Sequence, residues 1–300
     1  MQEEQPGLIQ WAILLVLAII WGSSFILIKY ALFQDGEAVL SGYEVGALRM
    51  FIASLSLLPI TLRHARWFKS HWSPLLVVGV FGNGLPAFLF AIAQTRIDSS
   101  LSGMLNSVTP LFTLMVGVAI FSVRTNKNTM FGVLLGLVAA VLLIGTSGTE
   151  SGNNDPMYAG LALMGSFCYA VSVNTIKSRL QEIPTLAIAG LALSFAGLPC
   201  LIYLLSMGFP VKVVQDPNVP TALAYVSILA VIGTAFALVL FNRLVETTSA
   251  VFSSSVTYLL PVVAIAWGVL DGERISVVQY LCIGFILLSV MLVGMRPRYK

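Results

Sequence analysis

The chain is written in long apolar runs separated by short polar punctuation. Stretches free of Asp, Glu, Lys and Arg cover Gln5–Ile28, Ser70–Thr95, Ser99–Val123, Asn128–Thr149, Pro156–Ile176, Ile183–Val211, Pro217–Asn242, Thr247–Leu270 and Ile275–Met295. Each reaches the roughly 20 residues that a helix needs to cross a bilayer. A further stretch, Tyr43–Leu62, is long enough once Arg49 is admitted, and its other positions (Val45, Leu48, Phe51, Ile52, Leu55, Leu58) are too apolar for a loop. The pattern predicts an all-α integral membrane protein of ten transmembrane helices with short loops and no separate soluble domain. The first run is expected to be retained as a helix. Glu3 and Glu4 stand where a signal peptide carries positive charge, and no small-x-small cleavage site follows.

Composition agrees with this reading. Hydrophobic residues make up 58% and charged residues 10% of the 300, against about 25% charged in soluble chains. The net charge of +3, without a basic run, argues against nucleic acid as a partner; the lipid bilayer is the expected surrounding. Cys168, Cys200 and Cys282 sit in apolar stretches without metal or redox spacing and read as small buried hydrophobes. His64 and His71 share a loop with Arg63, Arg66 and Lys69, so no histidine is offered for zinc or acid–base chemistry inside the membrane. No cofactor or metal is expected, and the chain does not read as an enzyme.

Lys and Arg set the orientation. With the N-terminus in the cytoplasm, eleven fall on that side and five (Lys29, Arg49, Arg96, Lys212, Arg274) on the other, so both termini are predicted cytoplasmic. The chain also repeats itself. Trp21–Leu32 matches Tyr169–Leu180 without a gap, placing Ser24 on Ser172, Ile28 on Ile176 and Lys29 on Lys177, and Ser99…Pro110 matches Ala250…Pro261. Pro59 and Pro199 fall in helices two and seven. Residues 1–149 and 150–300 are therefore expected to be two five-helix repeats. An odd helix number inverts the second, as in secondary transporters whose site lies near the midplane between the halves.

These features resemble the EamA-type members of the drug/metabolite transporter superfamily. The marks are Trp21-Gly22-Ser23-Ser24-Phe25, Leu48-Arg49-Met50-Phe51 with Pro59, Pro110, Tyr258-Leu-Leu-Pro261, Leu270-Asp-Gly-Glu273 and a Gly-rich last helix, over Leu8 to Met295. One departure is that Phe121-Ser-Val-Arg-Thr stands where the family often carries an acidic Gly-Glu motif. The resemblance implies a bacterial inner-membrane carrier of amino acids, drugs or other small metabolites.

Candidate site residues are the polar and aromatic groups at membrane depth. Unpaired amides in hydrocarbon are expensive, so Asn83 and Asn106 are expected either to line a cavity or to bond between helices. Trp21 and Tyr169, equivalent in the repeat, are either stacking surfaces for a ligand or ordinary packing. Ser24 and Tyr258 complete the expected substrate-binding set. Pro110 and Pro261 are expected to shape two bent or broken helices in mid-span. Gly79, Gly82 and Gly84 with Pro86 suggest a loosened third helix, and Gly42-x-x-x-Gly46 and Gly132-x-x-x-Gly136 suggest close helix crossings. Arg49 lies about 20 Å along a helix from Leu62, roughly 10 Å inside a hydrocarbon core about 30 Å thick. It either snorkels outward or, the preferred reading, reaches across the bundle. No acidic residue falls at the midplane, Glu44 being the nearest, so a facilitator or exchanger by alternating access is expected. A channel or a membrane-embedded lipid-modifying enzyme are the alternatives.

Overall fold

The computed structural model describes residues 7–121, 127–147, 154–247 and 256–294. The helices are α1 (Leu8–Leu32), α2 (Gly42–Ser56), α3 (Leu58–Arg63), α4 (Phe68–Gly79), α5 (Leu85–Ala93), α6 (Ser99–Asn106), α7 (Thr109–Phe121) and α8 (Lys127–Ser147). They continue as α9 (Pro156–Arg179), α10 (Thr185–Ser206), α11 (Phe209–Gln215), α12 (Val219–Ala230), α13 (Ala237–Thr247), α14 (Val256–Leu270) and α15 (Val277–Gly294). Six continuous helical stretches among the described residues are long and apolar enough to span a bilayer: Leu8–Leu32, Ala65–Ala93, Ser99–Ile120, Pro156–Arg179, Thr185–Ser206 and Val219–Phe241. Shorter apolar helices cover Met130–Gly145, Leu259–Leu270 and Val277–Ser289. The outer faces carry exposed Leu134, Val138 and Val141 on α8 and Leu198 and Ile202 on α10. In water such faces would drive aggregation; against hydrocarbon they are the ordinary surface.

Local chemistry explains where helices start and break. α1 ends in a two-residue hairpin, β1 (Phe33–Gln34) against β2 (Glu37–Ala38), turned by Asp35 and Gly36, both at positive φ, as a primed turn requires. α2 opens on a reciprocal capping box between Ser41 and Glu44. Proline breaks two spans. Pro59 sits in the first turn of α3, after α2 has stopped at Leu57. Pro110 sits in the first turn of α7, not in mid-helix as the sequence suggested: α6 stops at Asn106 and the chain turns through Ser107 and Val108. A proline ring clashes with the carbonyl four residues back, here that of Asn106. The chain opens instead, and the Thr109 hydroxyl donates to that carbonyl at 2.7 Å. Pro261, by contrast, lies inside α14.

Two segments are under-wound into π-helix, Val80–Gly84 between α4 and α5 and Val231–Phe236 between α12 and α13. They correspond residue by residue: the displacement that carries Pro110 onto Pro261 carries Val80 onto Val231, Gly82 onto Gly233 and Asn83 onto Thr234. Their neighbours correspond too. A methyl group on Gly82 would strike the Ser172 hydroxyl of α9, and one on Gly233 would lie 3.1 Å from the Ser24 hydroxyl of α1. Ser24 and Ser172 are themselves the paired serines of the repeat.

Packing runs between the first and second parts of the chain. α8 lies along α15, α2 along α10, α1 along α14 and α12, and α9 along α7 and α5. Glycines serve the close approaches: Gly42 meets the Ile92 backbone and Gly46 the Phe88 ring where α2 crosses α5, and Gly136 of α8 meets Leu111 of α7 and Ser289 of α15. The three cysteines are free and buried. Gly42→Ala tests the packing, because its methyl would sit 2.8 Å from Ile92 Cα and N, backbone atoms that cannot rotate away. Overpacking of this kind costs about 1–3 kcal/mol. Melting in detergent should fall for Gly42→Ala, whereas Gly145→Ala, with open space around it, should hold or rise slightly. Equal melting of the two variants would refute the crossing.

Candidate substrate pathway

A cavity of about 1040 Å³ opens at the end of the bundle where α1 finishes and α9 begins. Its wall mixes polar groups, Lys29, Arg96, Asp98 and Asp271 among them, with Phe33 and Ile97. Toward the opposite end of the bundle lie two apolar clusters. Leu75 and Val78 of α4 pack with Leu180, Ile183 and α10. Leu14 and Leu17 of α1 pack with Ala237, Leu244 and Val256.

Beneath the cavity lies an ionic cluster that joins distant parts of the chain. Lys29 of α1 binds both Asp271 and Glu273, the latter at 2.8 Å, and the Tyr30 hydroxyl donates to Asp271 at 2.8 Å. Glu273, with a side chain only 2% exposed, accepts from the Ser99 and Ser100 backbone N–H groups at 3.0 Å and from the Ser99 hydroxyl at 2.8 Å. A carboxylate from the α14–α15 loop thus caps the start of α6, where free N–H groups and the helix dipole favour negative charge. Burial pulls the Glu273 carboxyl up, but the Lys29 ammonium and the Ser100 donors outweigh it and hold it below the usual range. Asp98 beside it moves the other way: burial raises it, against the Asn154 amide that donates to it at 2.8 Å. Gln94 has its side-chain amide on Ser102, but its buried carbonyl oxygen has no partner.

Deeper in the bundle a second polar group forms around the π-helical segments. Ala237 N–H donates five residues back to Ile232, passing over the Gly233 carbonyl. The Trp21 indole N–H takes that carbonyl at 3.1 Å, and its ring rests on Phe241 at 5.2 Å. Ser24 bonds back to Ile20 in its own helix. Arg49 turns inward, donating from Nε to the Thr234 hydroxyl at 3.0 Å, with the Tyr169 hydroxyl as its other polar neighbour. Tyr169 in turn stacks on Phe90 at 6.0 Å. Asn83 and Thr234 each reach the carbonyl five residues back, Val78 and Leu229.

The sequence-chosen residues are thus only partly gathered. Trp21, Ser24, Arg49 and Tyr169 meet around Gly233 and Thr234. Asn83 stays on its own helix, and the Asn106 side chain accepts from Thr109 at 3.3 Å. Pro110 and Pro261 lie on the α6–α7 break and inside α14. The Tyr258 side chain lies outside the described residues. None of these residues lines the open cavity. Asn174 bonds between helices, donating to Thr113 of α7 at 2.9 Å. Sequence reasoning missed the Lys29, Asp271 and Glu273 cluster, although Leu270-Asp-Gly-Glu273 was a visible mark. It also missed Thr234, which only its correspondence with Asn83 would have signalled.

The cluster carries a signed pH expectation. Glu273 binds a proton less readily folded than unfolded, so its contribution is complete above about pH 4.3 and is lost as pH falls through its depressed folded value. Glu273→Gln should lower melting near neutral pH, by about 1–3 kcal/mol given that Lys29 keeps Asp271 and partial exposure. It should also flatten the acid limb of the melting-against-pH curve. A parallel acid limb in variant and parent would refute the assignment.

Known proteins place this architecture. The EamA-like transporter family matches residues 9–145 and again 157–295. The chain is 28% identical over 285 residues to a protein of Escherichia coli K12 named "Uncharacterized inner membrane transporter YedA", covering 93% of this chain and 89% of that one. It is 26% identical over 197 residues to a Salmonella typhimurium protein named "Probable amino-acid metabolite efflux pump", covering 64% of this chain and 61% of the other. A crystal structure superposes with a TM-score of 0.61 at 17% identity, covering 94% and 95% of the two chains, a likeness of fold alone. With the family pattern filled twice along most of its length, this integral membrane protein belongs to the EamA-like transporter family.

Proposed function

We propose that the chain is a secondary transporter that moves a small organic metabolite, an amino acid or a drug-like amphipathic solute, by alternating access between inverted halves 1–149 and 150–300 of five helices each. The observation that carries this reading is the reciprocity of the two π-helical segments. Each breaks its helix at mid-depth and sets a glycine against the paired serine of the other half, Gly82 against Ser172 and Gly233 against Ser24. Related surfaces of this kind let one half rock on the other with two end states of similar energy. The relative named for amino-acid metabolite efflux supports the solute class. Trp21, Ser24, Asn83, Asn106, Tyr169 and Tyr258 are the proposed substrate-binding group, with Arg49, Pro110 and Pro261 shaping the pathway.

The proposed orientation has both termini in the cytoplasm of a bacterial inner membrane. The cavity then faces outward and the two apolar clusters face inward, as an outward-open state would have them. Facilitated diffusion or exchange is the proposed energetics. Glu44, the acid nearest the span, is engaged in its capping box and held by Lys212 at 2.9 Å, which supports a structural role rather than a proton relay.

Proteoliposomes holding the full chain test this reading. Counterflow of a carried solute, without uphill accumulation under an imposed pH gradient, is the expected result. Accumulation that an ionophore abolishes would overturn the energetics, and flux without counterflow would favour a channel. A reporter inserted at 148–155 should read the outer side; a cytoplasmic reading would overturn both orientation and inversion.

A further inference from the structure

Arg49 is a cation inside the bundle without an anion. Among the described residues the carboxylates that form ion pairs serve Lys29 and Lys212, and none lies within pairing distance of Arg49. Its Nε is satisfied by Thr234. The Tyr169 hydroxyl is hydrogen-bonded to the guanidinium as well. Arg49 and Tyr169 are partly exposed while Leu48, Met50, Cys168 and Ala170 beside them are buried, so both side chains reach accessible surface. Tyr169 also stacks on the buried Phe90 ring, which makes the surroundings of the pair aromatic.

We propose that Arg49 is the anion-binding group of the substrate site, and that the carried solute is an organic monocarboxylate with an apolar body. The inference rests on the transporter reading above and specifies its substrate. A guanidinium held in low dielectric demands a counter-charge. With Nε on Thr234 and a second bond to Tyr169, the guanidinium still has further N–H groups among its five, donors that suit a carboxylate. A permanent Asp or Glu there would cancel the charge; its absence leaves the counter-ion to arrive with the solute. One guanidinium without a second cation beside it suits a monoanion better than a phosphate dianion. The arrangement is also single. With Pro59 laid on Pro199, Arg49 falls on Ala189, and Asn83, the counterpart of Thr234, bonds only to its own helix. A one-ligand site needs one such group.

The test uses the full chain in detergent and in proteoliposomes. The probes are N-acetyl-L-phenylalanine, N-acetyl-L-tryptophan and N-acetyl-L-leucine, the primary amide of each, and the cations phenethylamine and tryptamine. At least one carboxylate should raise the melting temperature and undergo exchange, its amide binding about tenfold or more weakly, the scale of one lost charge-assisted hydrogen-bond pair. Arg49→Gln should bring the carboxylate down to the level of its amide. If that variant does not fold, Arg49→Lys, which keeps the charge without the planar fork, should lower the carboxylate-to-amide preference several-fold. Carriage of amides or cations as readily as carboxylates, or an unchanged preference in the variant that folds, overturns the inference and leaves the transporter reading standing. A chain that carries none of the probes, charged or neutral, overturns both.

Discussion

Backbone groups in hydrocarbon must find partners inside the protein, and the architecture of this chain follows from how each break in its helices meets that demand. Where the second π-helical segment skips the Gly233 carbonyl, the Trp21 indole supplies the donor. Where Pro110 forces α6 to end, the Thr109 hydroxyl covers the Asn106 carbonyl. Where α6 begins beneath the cavity, Glu273 receives its N–H groups. Each repair except the threonine comes from a residue far away in sequence, so the broken helices also tie the two parts of the chain together.

These ties differ in strength along the pathway. At the open end, Lys29, Asp271 and Glu273 form a partly buried charged cluster, and removing one partner from such a cluster leaves a charge poorly solvated. At mid-depth the contacts between α1 and the second π-helical segment, and between α9 and the first, are small-residue surfaces with a few neutral hydrogen bonds, each worth about 1 kcal/mol net. At the opposite end they are apolar clusters of leucine, isoleucine and alanine. In the proposed rocking motion, contacts of plain packing would part more readily than those held by charges.

How much of this was legible beforehand depends on range. The apolar runs follow from composition alone, and Pro110 announced its break, although the sequence could not say that Pro110 would begin a helix rather than bend one, nor that Pro261 would lie inside α14. That distinction depends on whether Thr109 can satisfy the opened carbonyl. The glycine pairs were readable because a missing side chain means a close neighbour, but which neighbour was not. Gly79, Gly82 and Gly84 with Pro86 hinted at the first π-helical winding, but the second had no such signal, since an under-wound turn has no residue pattern of its own. Glu273 looked like an ordinary loop acid; its burial depends on Lys29 and Ser99 arriving from the other part of the chain. Trp21 and Tyr169 align in the sequence repeat and each rests on a phenylalanine, yet the fold gives one a carbonyl and the other an arginine. Positions that align in a repeat need not share a partner.

That last difference bears on how a carrier holds its solute without trapping it. A cation at membrane depth is costly, about 2.5–3.5 kcal/mol on insertion scales and more in simulations. A neighbouring carboxylate would remove the cost and with it any attraction for an anion. Hydroxyls do neither completely. Thr234 and Tyr169 present dipoles that soften the charge of Arg49 without cancelling it. Thr234 itself hangs from the under-wound turn, its hydroxyl donating to the Leu229 carbonyl. The acceptor that orients the guanidinium is thus fixed to the helix break, so in the proposed mechanism a shift of that turn would change the affinity of the site, the coupling that a carrier needs to bind on one side and release on the other.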